Sequence, residues 1–157
     1  MSEATILAGF KTAFQNDPTI SSLVKTILTD LPDLQTDIVP APWLLIQPGT
    51  LTDAPVEAGD PHSGNQIQGT YSVLCFDELG EMSNLRVSQV MANMRAIATA
   101  IRANLRSDYT LGGACLWAGK GDGVTIHYGD AGIVQGLGNV PLYCLPIDVD
   151  TLDFVGQ

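Results

Sequence analysis

A chain of 157 residues with 45% hydrophobic side chains and a mean hydropathy of +0.18 can bury roughly 70% of its unfolded surface, so it needs no disulfide or structural metal to fold. Its 17 acids against 7 bases, a formal charge of −10, exclude the basic footprint on which duplex binding rests. No apolar run approaches the length of a membrane span, and the opening MSEATILAGFKTAF lacks the basic start, apolar run and cleavage site of a signal peptide, so a cytoplasmic location and a single domain over 1–157 are expected.

Residues 3–15 carry Ile6, Leu7, Phe10 and Phe14 at helical spacing, with Ser2 as the expected cap. Asp17 then stands as N-cap before Pro18, and Ile20, Leu23, Val24, Ile27, Leu28 and Leu31 continue at three- and four-residue steps. This spacing predicts a second helix that Pro32 stops. The run APWLLIQPG, 41–49, reads as a strand with Pro42 at its start and Pro48 at its end. From Gly49 to Gln68 the chain is rich in Gly, Pro, Asp and Thr without periodicity, which predicts a long loop.

GTYSVLCFDE resumes as a strand, with Tyr71, Val73 and Cys75 on one face and Thr70, Ser72, Leu74 and Phe76 on the other. From Ser83 as cap to Arg106, the residues Val87, Val90, Met91, Met94, Ile97, Ala98, Ile101 and Leu105 mark one long amphipathic helix. Arg95, Arg102 and Arg106 form a basic stripe beside that face. Ala92, Ala96, Ala100 and Ala103 form a smooth one opposite, either helix propensity alone or a place where another subunit approaches. The remainder, ACLWAG, GVTIHYG, GIVQGLG and VPLYCLPIDVDTLDF, predicts a meander of antiparallel strands turning at Gly119–Gly123, Gly129–Gly132 and Gly138–Asn139. The fold class is therefore α+β, helices packed on a mainly antiparallel sheet.

Candidate chemistry is sparse. GGACLWAGKGDG, 112–123, places five residues between Gly113 and Gly119 where a phosphate-gripping P-loop needs four. Gly121 stands where that loop needs a hydroxyl, and a strand follows where it needs a helix. The segment reads as a glycine-rich turn. Cys75, Cys115 and Cys144 lie among apolar neighbours and read as reduced core residues, with a redox pair or metal site as the alternative. Asp60 and His62 could share a metal with Asp53 or Glu57, though a solvated acidic loop is the simpler account. His127 has no accompanying metal spacing. Asp148 and Asp150 share a strand face and, with Asp30 or Asp33, could do acid–base work, against the simpler reading of a solvated face. No catalytic residue, cofactor or metal is assigned, and the chain is not expected to be an enzyme.

Charge is segregated. Thr26 to Leu85 holds nine acids and no Lys or Arg, whereas Arg86, Arg95, Arg102 and Arg106 lie in a window without an acid. The order of elements is an N-terminal helix, a strand at PWLLIQPG, a long loop, a strand at TYSVLCF, a long amphipathic helix and a terminal β region. Over about residues 3–155 it resembles the tail terminator (tail-completion) proteins of long-tailed bacteriophages and the related neck proteins.

The resemblance implies a virion protein assembled in the host cytoplasm into a ring, commonly a hexamer, at the head-proximal end of the tail. Its implied partners are the tail tube protein, the neck or connector protein and, in contractile tails, the sheath. Genomic DNA passes through the hole without specific binding, and no membrane is involved. A neck or head-completion protein on the capsid side shares the architecture and stays open, as does a non-viral cytoplasmic binding module. A ring of one kind of subunit needs two complementary patches. The expected pair is Arg95, Arg102 and Arg106 against Asp53, Glu57 and Asp60 of the neighbour.

Overall fold

The computed structural model describes residues 3–32, 39–54, 66–79, 84–121, 123–135 and 141–154. Helix α1 (Glu3–Gln15) buries Ile6, Phe10 and Phe14, as its spacing requires; the expected cap Ser2 lies outside the described residues. Helix α2 (Pro18–Leu23) begins at Asp17, whose carboxylate accepts from the amides of Thr19 (2.9 Å) and Ile20 (3.1 Å). A third donor, Asn104 Nδ2 at 3.0 Å, ties this cap to the long helix. Burial alone would raise the Asp17 pKa, but these three hydrogen bonds together hold it below the usual carboxylate value. Asp17→Ala should cost about 1–2 kcal/mol in denaturant unfolding. Because the folded-state pKa is the lower one, the loss should be full above the unfolded carboxylate pKa and should fade as pH falls through the folded one.

The second helix is shorter than its spacing predicts. It ends at Leu23, Val24 is already extended (φ −118°, ψ 130°), and strand β1 (Thr26–Leu28) follows. Val24, Thr26 and Ile27 are β-branched and stiff at χ1. The open edge of β2 (Trp43–Ala54) gives their backbone a ladder, paired in parallel as Thr26↔Trp43 to Leu28↔Leu45. The apolar residues Val24 and Ile27 are buried either way, so the helical period was ambiguous.

Strand β2 also runs further than expected. Pro48 does not end it but sits at a β-bulge, where the register with β3 (Gln66–Glu78) shifts between Pro48 and Leu51. Residues 49–54 and 66–68 are therefore strand, not loop, and the rest of the expected loop, 55–65, lies outside the described residues.

β3 pairs along its whole length with β7 (Pro141–Phe154), from Gln66↔Phe154 to Glu78↔Leu142. Three short strands, β4 (Trp117–Ala118), β5 (Val124–Ile126) and β6 (Gly132–Gln135), pair in tandem with the other edge of β7. All three run antiparallel to β7, so the chain does not reverse at Gly119–Gly123 or at Gly129–Gly132 as a meander requires. Those segments are excursions from one interrupted strand, the second containing a single 3-10 turn, Tyr128–Asp130. The expected turn at Gly138–Asn139 lies outside the described residues.

Helix α3 (Asn84–Ser107) lies on one sheet face; its expected cap Ser83 is outside the described residues. Val90, Met94, Ile97, Ala98, Ile101 and Leu105 pack there with Phe10, Phe14, Tyr71, Val73, Ile147 and Val149. Ala100 is also buried, so the smooth exposed face reduces to Ala92, Ala96 and Ala103. On the other sheet face Trp43, Leu45 and Leu142 form a smaller apolar cluster, with Trp43 stacked on Phe76 at 4.1 Å. The fold is thus α+β, on a mostly antiparallel sheet with seven strands among the described residues.

Candidate subunit interface

Arg95, Arg102 and Arg106 lie within about 40° of arc on α3. Arg95 and Arg106 are exposed and Arg102 is half-buried. Among the described residues no carboxylate pairs with any of the three. Arg86, at the other end of the helix, differs: it lies 3.8 Å from the buried carboxylate of Asp77 and also donates to the Glu78 carbonyl.

Toward its C-terminal end α3 meets the Gly119–Gly123 excursion. Arg102, Arg106, Gly119, Gly121 and Val124 enclose a recess of about 270 Å³. Gly119 and Gly121 have φ of +67° and +65°, which side chains rarely adopt, and a Cβ on Gly119 would stand 2.6 Å from Val124 Cγ2. The excursion is pinned: Gly119 N–H donates to the Asp150 carbonyl (2.7 Å), and Asp150 N–H donates to that of Gly123 (2.8 Å). Lys120, between these two glycines, points its ammonium toward the Tyr109 ring at 5.7 Å. A second, larger cleft of about 570 Å³ lies beside Arg95 and is floored by Met91, Met94, Tyr143 and Leu145.

The acids meant to complement these arginines are only partly described. Asp53 lies on β2 opposite Ile67, in the stretch beyond the bulge where Thr50, Leu51 and Thr52 are exposed; Glu57 and Asp60 lie outside the described residues. Asp53 and α3 are thus placed on different elements, the strand hairpin and the long helix.

The residues weighed for catalysis are committed elsewhere. Asp148 accepts from Ser72 Oγ (3.1 Å) and holds His127 Nε2 at 2.7 Å, while Asp130 lies 3.6 Å from His127 Nδ1. The serine thus bonds the carboxylate and not the imidazole, the reverse of what nucleophile activation needs. Asp150 accepts from Thr70 Oγ1 at 3.2 Å. Asp148 and Asp150 do share a face, but Asp30 follows β1, which the order β1-β2-β3-β7 sets three strand spacings away, about 14 Å. Asp33 and His62 lie outside the described residues.

All three thiols are free. Burial pushes Cys75 strongly up, Cys115 up to about 12 and Cys144 up to about 11, suppressing the reactive thiolate. Cys144 pairs in register with Phe76, so it faces the side of the sheet opposite Cys75.

Sequence reasoning found the arginine stripe but missed the recess. The signals were a run of alternate glycines at 119, 121 and 123 and two arginines four residues apart. Nothing local says that these segments meet.

No protein-family model matches the chain, and no curated protein does. Among solved structures it is similar to a chain of the "Virion of native gene transfer agent (GTA) particle", with a TM-score of 0.45 and 13% identity over 96% of this chain and 99% of that one.

Proposed function

We propose that this chain is a structural virion protein, without enzymatic activity, that assembles into a ring at the head-proximal end of a phage tail. There it ends growth of the tube and joins it to the neck. One observation carries the reading: three arginines lie along the solvent side of α3, unpaired among the described residues, in a chain of net charge −10. Unpaired guanidinium groups on an otherwise acidic surface complement acids borne on another element, and a head-to-tail ring brings together two such different patches of identical subunits. The order of elements supports the tail terminator reading over a catalytic one, as does the engagement of Asp148, Asp150 and His127 in hydrogen bonds across the sheet.

Negative-stain images of the purified protein should show rings with a central hole, and light scattering a multiple of 16.6 kDa. A single chain at every concentration would overturn the proposal. Co-purification with tails supports the terminator position; co-purification with DNA-filled heads moves the protein to the capsid side. Duplex DNA should be held only weakly, because an acidic ring offers few phosphate contacts.

A further inference from the structure

We propose that the recess between the last turns of α3 and the Gly119–Gly121 excursion is an oxyanion site, taking one carboxylate or phosphate-like group between Arg102 and Arg106. Its volume, about 270 Å³, falls below the roughly 300–1,000 Å³ of ordinary small-molecule sites and suits a compact charged head group. Two guanidinium groups supply forked donors that match the planar or tetrahedral oxygens of such a group.

The protein's own described carboxylates on adjoining elements are committed elsewhere. Asp108 accepts from the Thr110 amide, the Thr110 hydroxyl and the Gly112 amide, and these bonds hold its pKa low. Asp148 is held by Ser72 and His127, and Asp150 by Thr70. A cation near a helix C-terminus is favourable in itself, which accounts for Arg106 but not for a walled recess around both arginines. The wall is built in advance: the chain is pinned to β7 at Gly119 and Gly123, and Gly119 and Gly121, both at left-handed φ, bring no side chain of their own to the recess. At Gly121 a Cβ would meet nothing within 4 Å, so the space there is open.

Within the ring reading the group that fills the recess is a carboxylate of the neighbouring subunit. That identification rests on the ring; the site does not. The test is a titration of the full-length, ¹⁵N-labelled protein with inorganic phosphate against chloride at matched ionic strength, at a concentration where light scattering finds single chains. Phosphate should produce saturating amide shifts at Gly119, Lys120 and Gly121 that chloride does not. Half-saturation should rise about tenfold in the Arg102→Ala/Arg106→Ala variant.

Shifts that grow linearly and match those of chloride would overturn the site, whether or not rings form. Saturation in a protein that never forms rings leaves the site standing as one for free anions and removes the neighbour as its source. If rings form, or if the protein is found only as rings, phosphate should convert them to single chains when a neighbour's carboxylate is the occupant. Rings indifferent to phosphate overturn that identification.

Discussion

Exchanging Arg102 and Arg106 together for glutamate should take the proposed ring apart, with the mass in light scattering falling to the 16.6 kDa of one chain. In the proposed ring the reversal would remove two attractive contacts at each interface and add repulsion against an acidic partner. Partly desolvated pairs of this kind couple by about 1–3 kcal/mol, or roughly tenfold to a hundredfold in dissociation constant per interface. Arg95→Glu alone should do less, since a single exposed pair contributes about 0–1 kcal/mol.

Two controls separate this from damage to the fold. The wild-type assembly should weaken with added salt, because exposed charges are screened beyond about 8–10 Å at moderate ionic strength. Reversing Asp53, Glu57 and Asp60 to lysine in the charge-reversed background should also restore rings. Intact rings in the double glutamate variant would remove these arginines from the interface.

Phe10→Ala should cost about 3–5 kcal/mol in urea unfolding, a large part of the roughly 5–15 kcal/mol that holds a domain of this size. Phe10 is fully buried, with its ring 5.9 Å from that of Phe14 and 5.4 Å from that of Tyr71. The surroundings have little room to collapse into the vacated space. At the adjoining residue Gly9 a Cβ would already stand 2.6 Å from Ala114 Cβ, so α1 is seated as closely as the backbone allows. The Tyr71 hydroxyl is buried without a hydrogen-bond partner among the described residues, and its pKa is pushed up to about 12, first by burial and then by the nearby negative groups. Opening a cavity beside the ring should let water in and move the phenol back toward its ordinary value of 10.0, which an ultraviolet titration reads directly. In the wild type the raised pKa contributes stability that is complete below the unfolded value of 10.0 and is lost as pH rises toward 12. An unchanged urea midpoint for Phe10→Ala would show that α1 is not part of the cooperative core.

What could be read in advance was whatever a local period determines. α3 was legible because its apolar residues recur over many turns, and β3 because Tyr71, Val73 and Cys75 alternate with Ser72, Leu74 and Phe76. The stretch 24–28 was not, because Val24 and Ile27 suit a helix face and a strand edge equally, and the choice was made by β2, far along the chain. Proline and glycine misled at Pro48 and Gly119–Gly123 for a related reason. Each disrupts a ladder locally, yet a neighbouring strand that continues carries the chain past the disruption as a bulge or an excursion. The arginine stripe was legible as a helical face. The recess depends on a loop and a helix meeting directly in space, which no spacing encodes.

The outer border of β2 offers a last consequence. Among the described residues β1 covers only Trp43 to Leu45, so the backbone from Ile46 onward faces away from β3 without a ladder of its own. Such a border invites stray chains to zip on in fibre-like fashion. Pro48 brings no amide N–H to the strand, and the β-bulge that follows it bends the line out of flatness. The chain therefore carries its own guard against pairing with stray strands.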